Sequence, residues 1–68
     1  MPWTNANSSM IAGYDYDAQM GVLHLRFHSG RMVSYAGVEP EVAQQFADAP
    51  SKGKFFHRNI LDQYQAIA

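Results

Sequence analysis

Polar and apolar residues alternate most regularly in Val22-Leu23-His24-Leu25-Arg26-Phe27-His28, where His24 and Arg26 separate Leu23, Leu25 and Phe27. A period of two places the apolar set on one face of a half-buried antiparallel strand. Ser29-Gly30 then reverses the chain into Arg31-Met32-Val33-Ser34-Tyr35, a second run rich in β formers. The register of this hairpin matters because a slip of one residue exchanges the faces. A two-residue Ser29-Gly30 turn would pair Leu25 with Ser34 and set a serine in the core. A three-residue loop, His28-Ser29-Gly30, puts glycine at the left-handed position of a bulge and sets Leu25 opposite Val33 and Leu23 opposite Tyr35. The second register is preferred because it gathers five apolar side chains on one face.

Upstream, Met10-Ile11-Ala12-Gly13-Tyr14 is short, apolar and compatible with a strand, and the stretch from Asp15 to Gly21 carries turn chemistry. Residues 1–7 show no sustained period and read as a flexible lead-in to a single domain over 8–68. Downstream, Glu39-Pro40-Glu41 sets proline at a first helical position with acids in the first turn, and Val42 and Phe46 continue the apolar stripe until Pro50 ends it. Ser51-Lys52-Gly53-Lys54 leads into a second helical stretch, Phe55 to Tyr64. There Phe56, Ile60 and Tyr64, with Leu61 and Ile67, form the apolar stripe, and His57, Arg58 and Asp62 face outward. The fold class expected is α+β, a small antiparallel sheet of about three strands with two short C-terminal helices packed on one face.

Composition narrows what such a domain can be. In 68 residues, 47% of them apolar and none of them cysteine, there is room for one thin core and no disulfide to support it. No apolar run spans a bilayer, and the first residues lack the basic and apolar regions of a secretion signal, so the expected location is the cytoplasm and no membrane partner is expected. A net charge of −1 excludes a uniformly basic nucleic-acid binder. Local clustering changes that picture. The five cations fall in two segments, Arg26 with Arg31 and Lys52 with Lys54 and Arg58, and no acid lies between Ala18 and Val38. Histidines 24, 28 and 57 share those segments and add charge at mildly acidic pH.

The order Ser8-Ser9-Met10-Ile11, Gly13-Tyr14-Asp15, Leu23-x-Leu25-x-Phe27-x-x-Gly30, Tyr35-x-x-Val38-x-Pro40, Ala49-x-Ser51-x-Gly53-x-Phe55-Phe56 and Ile60-x-x-x-Tyr64 resembles the KTSC domain family. The resemblance covers about residues 8–65. The family is named for its occurrence at the C-terminus of some lysyl-tRNA synthetases and also occurs as stand-alone bacterial or phage proteins, a context that implies RNA binding. One departure is that the family's central Tyr-x-Tyr reads Val33-Ser34-Tyr35, with the first tyrosine replaced.

Catalytic and metal sets are hard to assemble from these residues, and neither enzyme activity nor a cofactor is expected. His24 and His28 on one strand stand roughly 13 Å apart, too far to share a metal. Asp15 and Asp17 read as turn formers, and Ser8 and Ser9 as turn or capping hydroxyls rather than nucleophiles. The function expected is a non-enzymatic binding module for RNA or another phosphate-bearing ligand. In it Arg26, Arg31, Lys52, Lys54 and Arg58 meet phosphates, Gly53 presents backbone amides beside Ser51, and Tyr35 or Tyr16 stacks a base. The alternatives are an adaptor that docks on a larger machine such as RNA polymerase, a self-associating protein, and an oligomer that binds a small nucleotide.

Overall fold

A computed structural model describes residues 3–67. Five antiparallel strands, β1 (Thr4–Asn5), β2 (Ile11–Asp17), β3 (Val22–Phe27), β4 (Met32–Ala36) and β5 (Gln65–Ala66), form one sheet in the order β1-β2-β3-β4-β5. Helix α1 (Pro40–Asp48) and the short helix α2 (Lys52–Phe55) follow β4, and α2 runs directly into a π turn over Phe56–Ile60. The α+β class with an antiparallel sheet and two short helices is therefore as expected, but the sheet has five strands rather than about three. Both additions are two-residue edge strands, too short to carry a period of their own.

The hairpin adopts the three-residue loop. Leu23 pairs with Tyr35 and Leu25 with Val33. Gly30 stands at φ +94°, where a side chain would be strained, and its amide donates to the Phe27 carbonyl at 2.9 Å. Strand β2 runs three residues beyond the expected Tyr14. Tyr14 lies opposite Leu25 and Tyr16 opposite Leu23, so Asp15 and Asp17, which alternate with them, take the other face. The turn begins only where Asp17 Oδ1 accepts the amides of Gln19 and Met20 at 3.0 and 3.2 Å.

Part of the stretch read as a flexible lead-in is built into the domain. Thr4 and Asn5 pair with Tyr14 and Gly13, and Ala6 is 2% exposed within the core. Residues 1 and 2 of that stretch lie outside the described residues.

The core sits between one face of the sheet and the helices. Ile11, Leu23, Leu25, Val33 and Tyr35 meet Ala43, Phe46, Phe56 and Ile60 there, and Val38 is buried just before α1. Rings hold the layers together edge to face: Tyr14 on Phe46 at 5.0 Å, Phe27 on Phe56 at 5.6 Å and Tyr35 on Phe56 at 5.8 Å. Phe46 and Phe56 are core side chains as expected, whereas Phe27 and Tyr64 are half-buried at its margin.

Among the described residues the opposite face of the sheet carries no helix. Gly13 lies there, and a Cβ in its place would come within 3.3 Å of the Arg26 guanidinium and 3.5 Å of Trp3 Cβ. The missing side chain lets Arg26 lie over the Trp3 ring at 5.5 Å.

The π turn changes which residues face where. The Leu61 amide donates to the Phe56 carbonyl at 2.9 Å, five residues back, so the segment is wound more loosely than an α-helix. Phe56 and Ile60 stay buried, but Leu61, expected on the same stripe, is 40% exposed, and Ile67 is 54% exposed beyond β5. Among the described residues no helix is long and apolar enough to cross a membrane.

Candidate functional site

The hairpin loop and the π turn come together around a cleft of about 500 Å³. Its floor is apolar: Met10 from the loop before β2, Phe27 and Val33 from the hairpin strands, an edge of Tyr35, and Phe56 and Leu61 from the helical segment. Its rim is made by Ser9, His28, Ser29, Arg31 and His57, and among the described residues no carboxylate lines it. Local structure sets each wall. The three-residue loop ends β3 at Phe27 and projects His28, Ser29 and Arg31 beyond the sheet, and the His28 amide donates to the Met10 carbonyl at 3.1 Å. His28 Nε2 donates to the Ser8 carbonyl at 2.7 Å, which ties the imidazole to the loop before β2 and defines the protonated nitrogen. That loop is itself a turn closed by Ser8, whose hydroxyl accepts the amides of Met10 and Ile11 at 3.2 and 3.3 Å.

Electrostatics at the floor are asymmetric. Burial pushes the Tyr35 phenol above its ordinary value, the Arg31 charge pulls it back, and the Asp62 carboxylate adds to the rise. Arg31 therefore acts on the bottom of the cleft as well as on its rim, opposed there by the charge of Asp62.

A second cleft, of about 340 Å³, lies between α1 and the other side of the π turn. Gln45, Arg58, Asn59 and Gln63 give it a polar lining, beside Val42, Phe55 and Tyr64. Tyr64 donates to the Glu39 carboxylate at 3.3 Å, and burial with that neighbouring charge raises the phenol's pKa.

The expected site residues are thus dispersed. Arg31 reaches the main cleft and Arg58 the second one. Arg26 is on the uncovered sheet face against Trp3. Lys52 Nζ donates to the Ala49 carbonyl at 3.3 Å, closing the C-terminus of α1, where the helix dipole favours a cation. Lys54 is exposed on α2, and its amide donates to Ser51 Oγ at 3.4 Å, so the serine caps the helix start as an anion would. Gly53 faces Met10 and Ser8, where a Cβ would find ordinary contact at 3.7 to 4.0 Å. Tyr35 is 4% exposed and so offers no open face for stacking. The Tyr16 hydroxyl is spent on the Val38 carbonyl at 2.6 Å. His28 and His57, which the sequence reading placed in the basic segments without naming as site residues, are the ones that join Arg31. His24 is apart from them, with Nδ1 sharing a 2.7 Å hydrogen bond with Ser34 Oγ on the uncovered face.

A five-stranded antiparallel meander backed by two short helices and a π turn defines a small α+β domain class. The KTSC domain matches residues 7–64, and the chain belongs to that family. A crystal structure of a KTSC domain protein from Yersinia pestis is similar over 97% of this chain and 93% of its own, with a TM-score of 0.92 and 29% identity. A lysine–tRNA ligase of Nostoc sp. is 34% identical over 64 residues, which are 94% of this chain and 11% of that enzyme. The chain thus spans about a ninth of the length of such ligases. A protein from Tsukamurella paurometabola is 34% identical over 90% of this chain and 91% of its own length.

Proposed function

We propose that this chain is a non-enzymatic binding module that recognises RNA, or another phosphate-bearing ligand, at the cleft between the hairpin loop and the π turn. The observation that carries this reading is the lining of that cleft: one guanidinium, two imidazoles and two hydroxyls around an apolar floor, with no carboxylate among them. The lysine–tRNA ligase relatives support it, since the matching segment there belongs to an enzyme that acts on tRNA. The reading places the protein in the cytoplasm of a bacterial or phage-infected cell.

The test is fluorescence anisotropy with labelled single-stranded RNA, tRNA and duplex DNA at low salt. Micromolar binding that prefers RNA and weakens in Arg31→Ala, with the melting temperature unchanged, is the expected result. No binding to any of the three would overturn it.

A second reading has its own support. On the uncovered sheet face Met32 is 57% exposed, beside Arg26 and Trp3, and such a surface suits a protein partner. An adaptor of this kind would hold a partner after nuclease treatment and lose it in Met32→Glu.

A further inference from the structure

The cations of this chain do not make a track that a nucleic-acid backbone could follow. Arg26 lies over Trp3 on the sheet face away from the helices, and Lys52 is bonded to the end of α1. Arg58 opens on the second cleft, and Lys54 lines neither cleft. Arg31 is left as the one guanidinium of the main cleft. A chain that tracks RNA by charge needs several phosphate contacts in a row. A site with a single guanidinium above an apolar floor suits a ligand with one phosphate and one large flat apolar surface.

The dimensions agree with that. A cleft of about 500 Å³ is in the range of small-molecule sites and cannot admit a duplex. The accessible floor of Met10, Phe27 and Leu61, with buried Val33 and Phe56 beneath it, has nothing to offer a phosphodiester, but it matches the face of a base. The π turn contributes directly. It brings Leu61, 40% exposed, back to the side of Phe56, and His57 lies on the same cleft as the His28 that the Ser8 carbonyl holds in place.

We propose that the main cleft takes one unpaired nucleotide of an RNA, with its base on the apolar floor and its phosphate at Arg31 between His28 and His57. This rests on the RNA reading above and narrows it. Recognition is then of a bulged, looped or terminal nucleotide rather than of sequence-independent backbone.

The experiment uses the full chain and three labelled RNA duplexes: fully paired, with one bulged nucleotide, and with one bulged abasic residue. Anisotropy is followed at about 50 and 200 mM salt. The bulged RNA should bind about 10-fold more tightly than the other two, as expected for one stacked base. Its affinity should fall only about 3-fold between the two salts, the dependence of a single phosphate contact, where five contacts would cost 100-fold or more, on the order of 130- to 500-fold. Arg31→Ala and His57→Ala, both at exposed positions, should each abolish the preference for the bulge and leave the melting temperature unchanged. Arg58→Ala, in the second cleft, should leave it intact. Equal binding to the three RNAs, or a 100-fold salt effect, would overturn the nucleotide proposal while the RNA reading stood. Failure to bind any RNA at the lower salt would remove both.

Discussion

His57 and Arg58 are consecutive, yet they open on different clefts. The two clefts flank one helical segment, and each holds one arginine and one tyrosine with a raised pKa. They differ in what lies beneath the charge. Under Arg31 is a floor of rings and aliphatic side chains, whereas Arg58 is set among Gln45, Asn59 and Gln63. A guanidinium among amides already has polar neighbours in competition with any ligand. A guanidinium above apolar surface gains the burial of that surface when a ligand covers it. The comparison shows that a run of basic residues in a sequence is not yet a site, because the winding of the segment decides which cation has a floor.

The strongest way to break the comparison is to remove the floor. Phe56 is buried and touches the rings of Phe27 and Tyr35, so Phe56→Ala should cost about 3–5 kcal/mol in urea unfolding. In a domain this small that is much of the total stability. Phe55, which lines the second cleft and is only partly buried against Phe46 at 6.0 Å, should cost about 1–3 kcal/mol as Phe55→Ala. Equal losses at the two positions would show that the clefts do not differ in how deeply they reach the core.

Much of the frame around the clefts was legible in the sequence. Leu23, Leu25 and Phe27 alternate, and Gly30 sits where a three-residue loop needs a left-handed residue, so the hairpin register follows from the pattern. Pro40 marks the start of α1 in the same way. What was not legible has physical causes. Strands β1 and β5 are two residues long and owe their conformation to pairing with β2 and β4 rather than to any pattern of their own. Asp15 and Asp17 are strong turn formers, and pairing with β3, the packing of Tyr14 on Phe46 and the bond from Tyr16 to Val38 hold that segment extended. The main cleft depended on the π turn. A 3.6-residue period turns Leu61 away from Phe56, and the five-residue winding after Phe56 brings it back to that side, where it lines the cleft with His57. The clues to the site were Arg31, already named among the cations, and the place of His28 and His57 in the basic segments.

A more selective change acts on the wall that belongs to the main cleft alone. Gly30 at φ +94° has open space where a Cβ would be, so Gly30→Ala introduces backbone strain without a clash and should cost about 1–2 kcal/mol. Amide shifts in an NMR spectrum should move around His28 and Arg31 and leave Arg58 and Gln63 in place. Movement on both sides of the helical segment would mean that the hairpin loop and the second cleft are mechanically one.

A smaller change acts on the segment both clefts share. Ser51 caps α2 with a long 3.4 Å bond to the Lys54 amide at an exposed position, so Ser51→Ala should cost only about 0.5–1 kcal/mol by thermal melting. A loss beyond that range would give the serine more weight in holding the helical segment than one marginal cap supplies.

The last contrast has no expression at neutral pH and appears only in alkali. Tyr35 and Tyr64 both hold their protons above the ordinary value of 10.0, mainly through burial. In the unfolded chain each phenol ionises near that ordinary value, so the neutral form is favoured by folding. The sign follows: their contribution is fully present below pH 10 and is lost as pH rises through and beyond it. The neighbours differ between the clefts, since Arg31 draws the Tyr35 value down while the charge of Glu39 and its hydrogen bond push the Tyr64 value up. Phenolate absorbance, with Tyr35→Phe and Tyr64→Phe to assign the two transitions, should therefore respond in opposite directions to neutralising the partner. Arg31→Ala should move the Tyr35 transition to higher pH, and Glu39→Gln should move the Tyr64 transition to lower pH. If both substitutions left their tyrosines unmoved, the charges at the two clefts would be screened by water, and the electrostatic part of the comparison would be lost.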